Sequence, residues 1–179
     1  MKILTRSFYH KDTLEVARGL LGSVLVRRVG RKTVRARIVE TEAYVGEDDL
    51  ACHASKGRTK RTEVMYGEAG HAYVYMIYGM YHCLNIVTEA KDFPSAVLIR
   101  AVEIDGVPRK ETDGPGKLCR FLDIDRSLNG WDVTRGGKLW IESGKPSDDE
   151  IVSAAKRVGI DYAGHCREYP WRFVLEGKK

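Results

Sequence analysis

Short apolar runs, some alternating with polar residues and some continuous, dominate the chain and predict β-strands. Two of these runs flank Gly30-Arg31 and two others flank Gly79, so we expect two hairpins of antiparallel strands. The expected strands are Ser23–Val29, Val34–Ala43, His71–Tyr78, Tyr81–Thr88, Ala96–Ile104, Lys138–Glu142 and Trp171–Leu175.

Three other segments carry helix signals. Asp12 with Glu15, and Ser147 with Glu150, have the spacing of a capping box at a helix start. The expected helices are Asp12–Gly22, Pro115–Leu122 and Ser147–Val158. Because strands predominate and no linker or repeat divides the chain, we predict one α+β domain over residues 1–179, with an antiparallel sheet and few short helices.

The composition is that of a soluble globular protein, with 43% apolar and 31% charged residues in 179. No apolar run approaches the ~20 residues that a membrane span needs. The first six residues also lack the apolar core of a secretory signal. We therefore expect an intracellular protein with no membrane partner.

The charge, 30 basic against 25 acidic residues, is arranged in blocks. Six basic residues and no acid lie between Val24 and Ile38, and four basic residues lie between Lys56 and Arg61. Five acidic residues and no base lie between Glu40 and Leu50. The basic blocks suit a partner that carries phosphates, although a solvated surface of mixed charge explains them equally well.

The four cysteines form no C-x-x-C pair, and three of them adjoin a histidine: Cys52, Cys83 and Cys166. Neighbouring residues of a strand point to opposite faces and rarely share one metal ion. We expect buried free thiols in a reducing compartment, and no metal site.

The strand from Val34 contains the first candidate for chemistry. If its even positions face the core, that row continues into Glu40, Glu42 and Tyr44, and partial burial would make a carboxylate there a stronger base. The two glutamates would lie ~6.6 Å apart along the strand, which is at the lower end of the carboxylate separations found in inverting sugar hydrolases. The alternative is a strand that ends near Ile38 and leaves both glutamates in water.

Five of the nine tyrosines fall between positions 66 and 81, which indicates either a packed sheet surface or a set of stacking faces. Tyr78 sits at a hairpin turn, where a ring has little core to fill and could act as a wedge between bases. Arg100 and Asn85 lie in apolar strands and need a partner, either inside the protein or on a ligand. Gly114-Pro115-Gly116-Lys117 is at most a generic anion site at a helix start.

Taken in order, these residues closely resemble the alkyladenine (3-methyladenine) DNA glycosylases, from about Phe8 to Leu175. The segments that carry the resemblance are Arg37–Tyr44, His53, Arg61–Met65, His71–Met80, Cys83–Asn85, Gly114–Cys119, Arg157–Ile160 and Arg172-Phe173. The resemblance implies a single domain built around a curved, mainly antiparallel sheet. It also implies a monomeric, monofunctional enzyme of base excision repair, which flips an alkylated or deaminated purine out of duplex DNA and hydrolyses its N-glycosidic bond. Such an enzyme leaves an abasic site and uses no metal or other cofactor.

Carried over position by position, the resemblance implies that Glu42 activates the attacking water and that Tyr78 intercalates into the duplex. It implies that Tyr44, His53 and Tyr75 are the walls of the base pocket and that Asn85 disfavours guanine at its floor. The implied phosphate contacts are Arg58, Arg61, Arg100 and Lys117. His53 is also a candidate donor of the proton that a neutral leaving base needs.

Two rival functions are weighed against this one. A non-catalytic nucleic-acid-binding module on the same fold would need no carboxylate beside Tyr44 and His53. A sugar hydrolase built on Glu40 and Glu42 would need no basic block and no tyrosine at a hairpin tip.

Overall fold

The computed structural model describes residues 2–178, in which the chain forms eight strands and three short α-helices. The strands are β1 Val24–Val29, β2 Lys32–Val45, β3 Ala72–Ile77, β4 Tyr81–Val87, β5 Ser95–Glu103, β6 Leu139–Glu142, β7 Glu150–Ala155 and β8 Arg172–Gly177. The α-helices are α1 Arg6–Tyr9, α2 Thr13–Gly19 and α3 Pro115–Phe121. Short 3₁₀ helices lie at His53–Lys56, Glu63–Tyr66, Arg109–Glu111, Arg126–Leu128 and Gly164–Glu168.

All eight strands join one antiparallel sheet, in the order β3-β4-β5-β2-β1-β6, with β8 on β2 and β7 on β8. The 14-residue strand β2 is central. Its first half pairs with β1, and β8 takes over near Glu40–Glu42, while β5 follows the other edge. This change of partner curls the sheet into a half-barrel and confirms the predicted α+β class.

One face of the sheet carries the main hydrophobic core. Helix α2 contributes Val16 and Ala17, and α3 contributes Leu118 and Cys119, to a cluster that includes the fully buried Ile38 and other sheet residues. Burying such side chains stabilises the fold by about 1.5–3 kcal/mol each. Both helices therefore pack on this face, and the opposite face of the sheet is left uncovered by them.

Two bulges in the β2–β5 ladder change which residues face that core. Between Ile38 and Thr41, β2 gains one extra residue, Val39, and β5 gains Arg100 on the opposite strand. Before the bulge Ala36 and Ile38 face the core, and after it the odd-numbered Val39 and Ala43 do. The expectation of one uninterrupted even row is therefore wrong. Glu42 is nevertheless fully buried, because the bulge turns it to the opposite face of the sheet, where other side chains cover it.

Most of the expected elements are confirmed within one to three residues at each end. Asp12 caps α2 by accepting hydrogen bonds from the backbone N–H groups of Leu14 and Glu15, although the helix ends at Gly19 and not at Gly22. The two-residue turn at Gly30-Arg31 is present, and Gly30 has the positive φ of 57° that such a turn requires.

The helix expected over Ser147–Val158 is wrong, because Glu150–Ala155 is strand β7. The local signal is real: the Glu150 carboxylate accepts hydrogen bonds from the backbone N–H and hydroxyl of Ser147, at 2.8 and 2.7 Å. Arg37 on β2 also donates a hydrogen bond to this carboxylate, and β7 pairs with β8 along its full length. Pairing across the sheet therefore overrides the capping signal.

The four cysteines are all buried and free, as expected. Within residues 2–178, no helix has the length and apolar character that crossing a membrane requires.

Candidate active site

The face of the half-barrel opposite the main core holds a cleft of about 460 Å³. Its floor is built from alternate residues of four neighbouring strands, and its rim comes from the segments around His53 and Val158. Eight of the ten sequence-predicted site residues line it: Glu42, Tyr44, His53, Arg61, Tyr75, Tyr78, Asn85 and Arg100. A cleft of this volume is in the ordinary range for a small-molecule site.

The carboxylate of Glu42 lies on the cleft floor with three partners. Oε2 accepts a hydrogen bond of 2.8 Å from the Tyr44 hydroxyl, and Oε1 accepts one of 2.8 Å from the backbone N–H of Val158. The Arg100 guanidinium lies 3.5 Å from Oε1. All three contacts favour the ionised form of the carboxylate.

Burial of Glu42 opposes those contacts and dominates, so the pKa of its carboxyl is raised above the ordinary glutamate value. The pKa of the Tyr44 phenol is also raised, first by burial and then by the neighbouring Glu42 charge. Tyr44 therefore stays protonated and donates to Glu42. A desolvated carboxylate of raised pKa is a stronger base than one in water.

Arg100 is shared between two glutamates. Its Nε donates to Oε1 of Glu40 at 2.9 Å, and the same oxygen accepts from Arg172 at 3.0 Å. The internal ion pair that the sequence allowed for Arg100 is thus formed. Glu40 is paired with two guanidinium groups and does not line the cleft, whereas Glu42 does.

Aromatic rings form one side of the cleft. The rings of His53 and Tyr75 meet edge to face with centroids 4.5 Å apart, and Tyr73 lies 5.3 Å from Tyr75. The His53 Nδ1 is 2.9 Å from the Tyr73 hydroxyl, which fixes the plane of the imidazole. Burial, with a smaller effect from Arg61 and Lys56, lowers the pKa of His53 to about 4, so the imidazole is neutral at pH 7.

Asn85 lies on the cleft floor in β4, and only 4% of it is exposed. Its Nδ2 donates to the backbone carbonyl of Tyr73 at 3.2 Å. That bond fixes which way the amide faces, so Asn85 offers a defined polar edge to whatever enters the cleft.

Tyr78 stands at the tip of the β3–β4 hairpin with 86% of its surface exposed. Its φ of 52°, followed by 70° at Gly79, places both central residues of the turn in the left-handed region. The backbone N–H of Met80 closes the turn on the Ile77 carbonyl at 3.2 Å. A rigid turn therefore holds an aromatic ring out in solvent at the cleft mouth.

Several cationic side chains of the two basic blocks already have partners within the protein. Arg58 pairs with Glu63 and Asp92 outside the cleft, and Lys117 is exposed on α3, so neither of these two predicted contacts lines it. Arg61 does line the cleft, with its guanidinium 5.3 Å from the Tyr75 ring centroid.

In the other basic block, Arg27 is buried against backbone carbonyls, including those of Leu122 and Asp123.

The sequence assigned no role to several residues that shape the site. Val158 supplies its N–H to Glu42, Tyr73 orients His53, and Tyr162 lines the rim with 70% of its surface exposed. The Arg157–Ile160 segment, which carries part of the resemblance, was the sequence signal that pointed to Val158. Because this segment was interpreted as the end of a helix, no role was expected for the backbone N–H of Val158. Within residues 2–178, no three histidine, cysteine, aspartate or glutamate side chains gather as a metal site would require.

The curled antiparallel sheet thus places a buried carboxylate and a set of aromatic rings in one cleft. The sequence model for methylpurine-DNA glycosylase matches residues 7–179. A protein of Methanocella arvoryzae is 54% identical over 97% of this chain and 92% of its own length, and one of Anaeromyxobacter sp. is 56% identical over 97% and 89%. A protein of Desulfitobacterium hafniense is 48% identical over 98% and 96%. All three are named "Putative 3-methyladenine DNA glycosylase".

The chain therefore belongs to the methylpurine-DNA glycosylase family. DNA glycosylases are hydrolases of N-glycosyl bonds that act in base excision repair.

Proposed function

We propose that this protein flips alkylated or deaminated purines out of duplex DNA and hydrolyses the N-glycosidic bond with a water molecule that Glu42 activates. The observation that carries the proposal is the buried Glu42 carboxylate on the floor of an aromatic-walled cleft, oriented by Tyr44, Val158 and Arg100.

In the proposed reaction, the bond between the purine nitrogen and C1′ of deoxyribose breaks, and its electron pair leaves with the base. The water oxygen bonds to C1′ and gives its proton to Glu42. The same carboxylate stabilises the positive charge that develops on the sugar in the transition state. Such stabilisation is strong because the site holds little water to screen the two charges. The product is an abasic site.

The aromatic side of the cleft supports selectivity for damaged purines. N-alkylation puts positive charge on the base, and the electron-rich faces of Tyr75 and Tyr44 favour a cation over a neutral ring. A damaged or badly paired base also flips out of the stack at lower cost. His53, neutral at pH 7, acts in this proposal as a wall and not as an imidazolium acid.

We extend the proposal to the rest of the site. Tyr78 enters the duplex where the nucleotide leaves, Asn85 disfavours the amino group of guanine, and the cleft walls hold the base by stacking. Arg58, Arg61, Arg100 and Lys117 contact phosphates.

A single hydrolytic step is proposed because a lyase step needs an amine that attacks C1′. The cationic side chains among the cleft-lining residues described are the guanidinium groups of Arg61 and Arg100, and no lysine is among them.

We propose that the enzyme acts as a monomer inside the cell.

The test is base release from a duplex with a single hypoxanthine or ethenoadenine, and from alkylated DNA, followed by alkaline cleavage of abasic sites. Glu42→Gln keeps the shape of the side chain but not its charge, so we expect at least a 100-fold loss of the single-turnover rate, as for other lost general bases. The matched control is Glu142→Gln, since Glu142 is also a buried carboxylate of the sheet, paired with Arg35 and outside the cleft.

The control variant should keep the wild-type rate. Rapid base release by Glu42→Gln would remove Glu42 from its role. No release by the wild type on any of the three substrates, with retained binding to damaged duplex, would favour a non-catalytic binding module.

A further inference from the structure

Arg157 and Asp49 form an ion pair that is closed off from solvent, with 0% and 1% of the two side chains exposed. The two guanidinium Nη atoms donate to the two Asp49 oxygens at 2.5 and 2.8 Å. They also donate to the carbonyls of Ala43 and Cys166, at 2.9 and 3.1 Å. Replacing a buried ion pair by apolar residues is often neutral or stabilising, so stability alone is a weak reason for this pair.

The guanidinium lies between two aromatic rings. Its central carbon is 4.8 Å from the ring centroid of Tyr44 and 5.0 Å from that of Trp171. A planar, delocalised cation stacks on ring faces in a way that the point charge of a lysine does not. Arg157 therefore packs against the face of the Tyr44 ring and restricts its orientation.

Both hydrogen bonds that orient Glu42 come from groups that Arg157 holds. One is the hydroxyl of Tyr44, whose ring it packs, and the other is the backbone N–H of Val158, its own neighbour in the chain. The bonds reach different carboxylate oxygens, each at 2.8 Å, so together they fix the carboxylate in position and plane.

We infer that Arg157, clamped by Asp49, is a positioning residue for the reaction, which holds the Tyr44 hydroxyl and the Val158 amide on the Glu42 carboxylate. The inference rests on the proposed function of Glu42. Arg157 itself does not line the cleft.

Other groups also face Glu42 and would remain in place if Arg157 were changed. They are Arg100 on β5, Glu40 on β2 with Arg172 of β8 behind it, and Cys83 on β4. A change in the ionisation of Glu42 after substitution of Arg157 is therefore attributable to the two hydrogen bonds and to the position of the guanidinium.

The test is the pH profile of single-turnover base release by Arg157→Lys, which keeps the charge beside Asp49 but loses the planar fork. We expect about a tenfold lower rate at pH 7, and an acidic limb about one pH unit higher because the carboxylate loses donors that favour its ionised form. Affinity for a duplex with an abasic analogue should stay within about threefold of wild type, since no phosphate contact is changed.

A matched control and a second variant accompany it. Arg37→Lys removes a similar fork, to Glu150 in the same sheet, and should leave the acidic limb where it is. Trp171→Leu removes the second ring that packs on the guanidinium and leaves the cleft lining intact, so it should move the limb in the same direction as Arg157→Lys.

An unchanged acidic limb in folded Arg157→Lys would overturn the inference while leaving the role of Glu42 intact. If that variant does not fold, the limb of Trp171→Leu decides in the same way. Failure of the proposed function is a separate result, because it requires that the wild type itself release no base.

Discussion

Replacing Tyr78 by glycine should separate function from stability, because the tyrosine contributes little to the fold. Its ring is 86% exposed, and its backbone is in the left-handed region at a φ of 52°. A tyrosine that served the fold would be buried and unstrained. This one is neither, so we expect Tyr78→Gly to remain folded and to lose activity on duplex DNA.

The expected change in stability is the sum of three small effects. Glycine relieves a left-handed conformation that costs an ordinary residue about 1–2 kcal/mol. It also gives the unfolded chain more freedom, at about 0.5–1 kcal/mol. The ring covers only about 30 Å² of its roughly 200 Å², so its loss removes about 0.7 kcal/mol. The free energy of unfolding should therefore stay within about 1 kcal/mol of wild type, or about 2–4 °C in Tm.

Two measurements check this prediction: thermal unfolding, and single-turnover base release on duplex and single-stranded substrates. We expect at least about a tenfold loss on duplex, equivalent to about 1.4 kcal/mol, and a smaller loss on single strands, where no duplex must be opened. Tyr78→Phe keeps the ring and should behave as wild type. A loss of several kcal/mol in stability, typical of a fully buried ring such as Tyr9, would refute the reasoning.

Two further predictions concern the cleft floor. Base release should rise with pH through one ionisation above the ordinary glutamate pKa, because the raised pKa of Glu42 means that its carboxylate loses its proton only there; a rate that instead falls as the pH rises through the lowered pKa of His53, about 4, would indicate an essential His53 imidazolium. Asn85→Ala should release normal guanine faster relative to hypoxanthine, which competition assays on matched duplexes measure, and an unchanged ratio would make Asn85 purely structural.

The sheet was predictable from the sequence because its strands carry local signals. The hairpin at Gly30-Arg31 and the alternation in β3, where Tyr73 and Tyr75 face the cleft and Val74 faces the core, follow from period-2 patterning and turn chemistry. The convergence of these strands on one curled face was expected from the resemblance and not from the pattern.

The bulges and strand β7 were beyond local reasoning. One extra residue, Val39, reverses the facing of the rest of β2, and no feature of the sequence around it distinguishes a bulge from continuous strand. The capping contact between Ser147 and Glu150 is the same in a helix start and in the turn found here. Only the pairing partner, β8, distinguishes the two, and that partner begins at Arg172, outside the reach of a local pattern.

The balance of charge around Glu42 indicates where the selectivity of the proposed reaction would arise. Glu40 and Glu42 are matched by Arg100 and Arg172, so their formal charges sum to zero. Arg61 adds a positive charge among the cleft-lining residues, so the charged groups of the cleft give a cationic purine no net Coulombic attraction. In the proposed reaction, discrimination between cationic and neutral bases should then come from the ring faces, led by Tyr75, and from the charge that develops on the sugar beside Glu42. Because ring faces act on the bound base and Glu42 acts on the transition state, changes to the rings should alter which base is accepted, and changes to Glu42 should alter how fast any base is released.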